Sequence, residues 1–322
     1  MEREPLLSVR DLTISFRLRQ GILTAVDRVS FDLSESERLG IVGESGAGKS
    51  VTGFGIINMV SKPGFISGGS IQFQGKELTT LSEEEMRRIR GDRISMIFQD
   101  PMMTLNPVLT IGTQMIETLK AHRRISDKEA AEIAMDRIRK VAIPAPEKRL
   151  KQYPHEFSGG MRQRIVIAIA LLTSPALIIA DEPTTALDVT IQADIMALLL
   201  ELCRSERMGL ILITHDLAVV SQVAERIAVM YAGAVMELGE TEQIISNPQH
   251  PYTRGLLAAL PQKVGRKGRL NQIPGSMPNL LQIPDACPFN NRCSWCQEIC
   301  RRKTPPLAPK SAGCLAACHL LD

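Results

Sequence analysis

Hydrophobic and polar positions alternate over residues 6–16 and again over 25–33, with Gln20 and Gly21 between the two runs. A period of two marks a strand with one buried face, so these stretches predict strands joined by a tight turn. Residues 69–73 and the stretch after Arg93 continue this sheet-rich start. Ser82 followed by Glu85 has the spacing of a capping box, which predicts a helix start. From about residue 110 to 172 the period lengthens to that of helices. Ser126 and Glu129 form a second capping pair, Ile133, Ile138 and Val141 follow at helical spacing, and Pro144 and Pro146 stop that helix. The pattern then changes again. Residues 176–180 and 210–213 are short, continuous apolar runs, the mark of strands buried on both faces of a parallel sheet, with a helix over 191–203 between them. Residues 227–230 and 234–237 flank Gly233 and predict a closing hairpin. Past Pro261 the chain turns basic and rich in proline and glycine over 262–274, where Lys263, Arg266, Lys267 and Arg269 read as a solvated linker.

Within this pattern the apolar strand over 38–42 runs into Gly43, Glu44, Ser45, Gly46, Ala47, Gly48, Lys49 and Ser50, and a helix carries on through Val51 and Thr52. That is the P-loop pattern in its strand-to-helix setting. Gly46 and Gly48 let successive N–H groups turn inward on phosphate oxygens, and the helix adds the positive end of its dipole. Lys49 is placed to reach the β- and γ-phosphates of a nucleotide, and Ser50 to offer its hydroxyl to Mg²⁺.

Other blocks follow in order. Gln99 ends a strand ahead of Asp100 and Pro101. Ser158, Gly159 and Gly160 open a helix, so their hydroxyl and N–H groups form an anion site. Asp181 and Glu182 end an apolar strand with paired carboxylates, Asp188 follows, and His215 ends the next strand. With these blocks in this order, residues 6–260 resemble the ATP-binding subunit of an ABC transporter. By that resemblance 43–50 is the Walker A loop, Gln99 the Q-loop, 157–161 the signature, Asp181 and Glu182 the Walker B pair, Asp188 the D-loop and His215 the switch histidine. Asp181 would then hold Mg²⁺ with Ser50 and Gln99, Glu182 would polarise the attacking water, and His215 and Gln99 would position it. In this family the signature serves the ATP bound by the opposite subunit, so two chains enclose two nucleotides. An aromatic side chain also stacks on adenine. Phe16 is the candidate, and an ordinary β-core phenylalanine is the other reading. The signature carries Phe157 and Met161 where Leu and Gln are commonest, but keeps the serine and glycines that bind phosphate.

Phrases at 43–46, 98–102, 105–107, 181–190 and 250–253 resemble the oligopeptide/dipeptide (peptide/nickel) importer branch in particular. Of the seven cysteines, Cys203 stands alone and the others lie between Cys287 and Cys318. The charged start of the chain lacks the apolar core of a signal peptide, and in that setting a cysteine cluster is more often a metal site than a disulfide framework. Cys287, Cys293, Cys300 and Cys318 match the branch's pattern for a [4Fe–4S] cluster. A four-cysteine zinc site is a second reading and unligated or disulfide-bonded thiols a third, with Cys296 and Cys314 as extra sulfurs.

Composition narrows the field. A net charge of +3 sets up no strong field for nucleic acid, and 44% hydrophobic with 23% charged residues is ordinary for a soluble globular protein. The most apolar stretch, 165–180, is broken by Thr173, Ser174 and Pro175 and is too short to span a bilayer, so work at a membrane must go through partners. The expected fold is α/β: a P-loop NTPase (RecA-like) core with an antiparallel β subdomain and a helical insertion at about 103–172. Residues 1–260 would form this ABC ATPase domain and 261–322 a small cysteine-rich C-terminal extension.

The resemblance implies an ATPase that uses ATP and Mg²⁺ to energise import of di- or oligopeptides, or a related small solute, through a membrane permease. Implied partners are two transmembrane permease subunits, a second ATPase subunit (a related chain or a second copy) and an extracytoplasmic solute-binding protein, with no nucleic acid among them. The implied place is the cytoplasmic face of the cell membrane, peripherally. The alternative is a soluble ABC ATPase in DNA repair or translation, which usually carries a coiled coil or two fused ATPase domains. The sequence shows neither.

Overall fold

The computed structural model describes residues 4–185, 187–260, 272–281, 285–311 and 313–321. The four basic residues of the expected linker, Lys263, Arg266, Lys267 and Arg269, lie outside the described residues. In chain order the first strands are β1 (Leu7–Leu18), β2 (Gly21–Leu33), β3 (Arg38–Val42), β4 (Gly64–Phe73), β5 (Lys76–Glu77) and β6 (Ile94–Ile97). After them come β7 (Leu177–Asp181), β8 (Gly209–Thr214), β9 (Arg226–Tyr231), β10 (Ala234–Glu240), β11 (Ala308–Ser311) and β12 (Cys314–Ala316). The chain divides into two compact units, one of Met1–Ser34, Arg38–Thr80 and Leu212–Asp322, the other of Glu35–Glu37 and Leu81–Ile211.

The first unit contains the expected antiparallel sheet, ordered β2-β1-β4-β5. Its alternation buries Leu7, Val9, Leu12 and Ile14 of β1 against Val26, Val29, Phe31 and Leu33 of β2. The buried phase slips by one between Val9 and Leu12 because the register shifts there, at Asp11 with φ 47°. A bulge adds one residue and so restores the apolar face after it. In the same unit β3 pairs parallel with β9, and β10, β12 and β11 follow antiparallel. Leu39, Ile41 and Val42 of β3 are fully buried, as a strand covered on both faces requires. The hairpin expected around Gly233 is β9–β10. Beyond it, β12 lays Ala316 opposite Glu237 and Cys314 opposite Gly239. The C-terminal extension is thus held by sheet pairing as well as by side-chain packing.

In the second unit β6 and β7 pair parallel, and Leu177, Ile178, Ile179 and Ala180 are all buried. Helices occupy the stretch expected to be helical: Pro101–Thr104, Ile111–His122, Asp127–Lys140, Pro146–Arg149 and Gly159–Ala170. Ser82 completes its capping box with Glu85 in both directions. At Ser126 the hydroxyl accepts the Glu129 N–H, and the helix buries Ala130, Ala134 and Ile138. Its one buried cation, Arg137, bonds Glu206 at 3.1 Å and Ser174 at 2.7 Å, which ties this helix to the end of Val189–Glu206. Strand β8 carries the chain from the second unit to the first, with Leu210 to Ile213 buried. Among the described residues no helix is long and apolar enough to cross a membrane.

Candidate nucleotide site

Strand β3 ends at Val42 and the helix Lys49–Ile56 follows, so residues 43–48 form the loop between them. Gly48 caps the helix at φ 96°, and a Cβ there would lie 2.5 Å from the Ala25 carbonyl oxygen. Only glycine fits. The first turn carries no acidic residue, which leaves the positive helix end available to an anion. Lys49 is 5% exposed, and its Nζ donates to the carbonyls of Gly43 and Glu44, each at 2.9 Å. The loop's outer residues Ser45 and Gly46 are exposed, Ala47 is buried, and Ser50 and Val51 are partly buried on the first helical turn. The Glu44 N–H donates to the Tyr252 hydroxyl at 2.9 Å. Phe16 is partly buried on β1, with its ring against Gly64 of β4. His215 is exposed just beyond β8, where Asp216 caps the next helix through the N–H groups of Ala218 and Val219. These residues all belong to the first unit.

The second unit brings Gln99 and Glu182 into contact. Gln99 Nε2 donates to Glu182 Oε2 at 3.0 Å, and Thr185 Oγ1 donates to the same oxygen at 2.7 Å. Glu182 sits at φ 44°, a left-handed conformation that costs a non-glycine residue on the order of 1 kcal/mol and turns the chain out of the strand. Its neighbour Asp181 is only 3% exposed at the end of β7, so adjacent carboxylates have unlike surroundings. Ser158 caps the helix Gly159–Ala170 by accepting the Met161 N–H at 3.4 Å. Ser158 and Gly159 are exposed and Gly160 is buried. Asp188 is exposed at the cap of Val189–Glu206. Thr185 was not singled out in the sequence, although it lies inside the phrase that carries Glu182.

Next to the P-loop, where the Tyr252 hydroxyl meets Glu44, the first unit packs Tyr231, Tyr252, His250 and Phe289 into one aromatic cluster. Ring centroids are 4.7 Å apart for Tyr231–Tyr252, 5.3 Å for Phe289 with either tyrosine and 5.9 Å for His250–Phe289. His250 is 1% exposed; its Nδ1 accepts the Tyr252 N–H at 3.0 Å, and burial lowers its pKa to about 3, so the ring is neutral. Burial likewise raises the pKa of both tyrosines. The fully buried Glu237 carboxylate accepts the backbone N–H groups of Gln249 at 2.6 Å and His250 at 2.9 Å.

None of the seven cysteines is disulfide-bonded. Cys287, Cys300 and Cys318 are buried and Cys293 partly so, and the Cys287 N–H donates to the Cys300 carbonyl at 2.9 Å. Burial pushes the Cys287 thiol up to about 12, with the charges of Cys300, Cys318 and Cys293 adding to the rise. Among the described residues no three His, Cys, Asp or Glu side chains gather as they would around a metal ion. Thiols are soft donors, the kind that iron–sulfur groups and zinc take rather than a hard cation.

A glycine loop between strand and helix that carries a buried lysine has the form of the P-loop nucleotide-binding proteins. Comparison with known proteins narrows the class. Residues 26–185 match the ABC transporter family, and 236–300 match the oligopeptide/dipeptide transporter C-terminal region. The chain is 48% identical over 317 residues to the oligopeptide transport ATP-binding protein OppD of Escherichia coli, covering 98% of this chain and 94% of that one. It is 49% identical over 320 residues to the dipeptide transport ATP-binding protein DppD of Bacillus subtilis, covering 99% and 96%. Among solved structures, the dimeric ATP-binding cassette MJ0796, in a post-hydrolysis state bound to ADP and Pi, aligns with a TM-score of 0.66 at 28% identity, over 73% of this chain and 98% of that one. The chain belongs to the ABC transporter family, in its oligopeptide/dipeptide branch, and is an ATP-binding, ATP-hydrolysing cassette. The alternative of a soluble ATPase in DNA repair or translation finds no support in these matches.

Proposed function

We propose that the chain is the ATPase subunit that energises import of di- or oligopeptides through a membrane permease. The observation that carries this is the likeness to peptide-transport ATP-binding proteins along nearly the whole chain, continuing past the cassette into the C-terminal region. Residues 1–260 act as the ATPase domain and 261–322 as an extension to it. Gly43 to Val51 cradle the phosphates of ATP, Phe16 stacks on its adenine, and Lys49 leaves the Gly43 and Glu44 carbonyls for the β- and γ-phosphates. Ser50, Asp181 and Gln99 offer the hard oxygen donors that Mg²⁺ takes, and the ion supplies charge neutralisation on those phosphates. Glu182 accepts the proton of the attacking water, a role worth about 10²–10⁴ in rate, while His215 and Gln99 hold that water in line. Ser158, Gly159, Gly160 and Asp188 serve the nucleotide of the opposing ATPase subunit. Cys287, Cys293, Cys300 and Cys318 would hold a structural [4Fe–4S] cluster, with zinc as the second reading.

The working assembly comprises two permease subunits, this chain with a second ATPase subunit, and an extracytoplasmic binding protein, with the chain on the cytoplasmic face of the cell membrane. Met102, Met103 and Val108 are 40%, 81% and 75% exposed just after Gln99, and apolar side chains left open there suit a permease contact. Gentle purification from native membranes tests the reading. Permease subunits and a second ATPase should come with the chain, whereas ribosomes or DNA-repair factors without any membrane protein would overturn it.

A further inference from the structure

The C-terminal extension reaches the P-loop itself. Arg292 is 6% exposed, and its two terminal nitrogens face the two oxygens of Glu44, Nη1 to Oε2 at 2.7 Å and Nη2 to Oε1 at 3.0 Å. Its Nε donates to the Pro274 carbonyl at 2.9 Å and Nη2 also to that of Ile273 at 3.1 Å, while Nη1 reaches the Tyr231 hydroxyl at 3.3 Å. Every guanidinium nitrogen is engaged, so the fork is fixed before it meets the carboxylate. Planar, two-pronged pairing of this kind sets orientation in a way a lysine cannot. From the same extension, Met277 lies over the loop: a Cβ on Gly46, at φ 80°, would be 2.9 Å from its methyl carbon.

Glu44 is the joint on which these contacts act. Its side chain meets Arg292, its N–H donates to Tyr252, and its carbonyl accepts both Lys49 Nζ and the Ala47 N–H, the latter at 3.2 Å. If Lys49 turns to a phosphate, the loop loses two internal bonds at Gly43 and Glu44. Something else must then keep the N–H cradle in shape. Arg292 and Tyr252 hold Glu44 through bonds that do not involve Lys49. The extension does not need this pair for attachment, since β12 pairing and Phe289 already anchor it.

We propose that Arg292 is a positioning residue for the phosphate-binding loop, so that the C-terminal extension preorganises ATP binding through Glu44. This rests on reading residues 43–50 as the phosphate site, which Lys49→Ala tests separately. The experiment is a double-mutant cycle in the full-length chain, with Arg292→Met and Glu44→Gln alone and together, read by affinity for a fluorescent ATP analogue and by thermal midpoint. Arg292→Met should weaken nucleotide binding roughly fivefold or more, and the double variant should be no weaker than the worse single one. Arg292→Lys, which keeps charge and volume, should fall between Arg292→Met and wild type and gives a readout even if the methionine variant folds poorly. Additive losses, or wild-type affinity in Arg292→Met and Arg292→Lys with only the midpoint lowered, would overturn the proposal. Unaltered binding by Lys49→Ala would instead remove the phosphate-site reading beneath it.

Discussion

His250 should make the protein acid-sensitive. Its ring is fully enclosed by Tyr252, Phe289 and the backbone near Ala317, and burial lowers its pKa from 6.5 to about 3. The Glu237 carboxylate is occupied with the backbone N–H groups of Gln249 and His250. Below pH 6.5 the unfolded chain takes up a proton on this imidazole and the folded chain does not. Stability therefore falls as pH drops from 6.5 towards 3, at up to about 1.36 kcal/mol per pH unit. At pH 5, about one and a half pH units into that window, the loss is about 2 kcal/mol. His250→Asn retains a side-chain acceptor for the Tyr252 N–H and removes the titration. Urea denaturation at pH 7, 6 and 5 should show wild type losing about 2 kcal/mol more than the variant across this range. Parallel pH profiles for the two proteins would refute the reasoning.

Phe289→Ala removes a ring that is 3% exposed and packed against three aromatic partners, and should cost about 3–5 kcal/mol with earlier proteolytic release of the extension. A loss below about 1 kcal/mol would show that the cluster does not anchor the tail. Thr185→Val deletes the hydroxyl bond to Glu182 Oε2 and should lower kcat about fivefold, the effect of about 1 kcal/mol, with little change in KM. A change confined to KM would place Thr185 in ATP binding instead.

Local signals in the sequence were enough for the P-loop, the buried strands and the capping box at Ser82, because each is written within a few residues; at Ser126 only the serine half of the expected box forms. The paired carboxylates at Asp181 and Glu182 were legible too, since a strand end fixes where they emerge. The bulge at Asp11 leaves a trace too, since the apolar positions Leu7, Val9, Leu12 and Ile14 slip by one, but the pattern alone does not separate a bulge from an interrupted strand. Nor could spacing show that Arg292 bonds Glu44, that Tyr252 backs the loop, or that β12 pairs with β10. Such contacts join residues far apart in the chain, and no period or cap marks them. The bonds of Glu182 to Gln99 and Thr185 lie between these cases, since the residues were in view but their convergence depends on a left-handed turn at Glu182.

The most direct test of the whole account is peptide uptake into proteoliposomes holding the assembled transporter, with wild-type chain or Glu182→Gln. ATP hydrolysis and uptake should fall together, by about 10²–10⁴ at this site, while ATP affinity stays within a few-fold of wild type. Undiminished hydrolysis in the variant, or uptake that continues without it, would contradict the account.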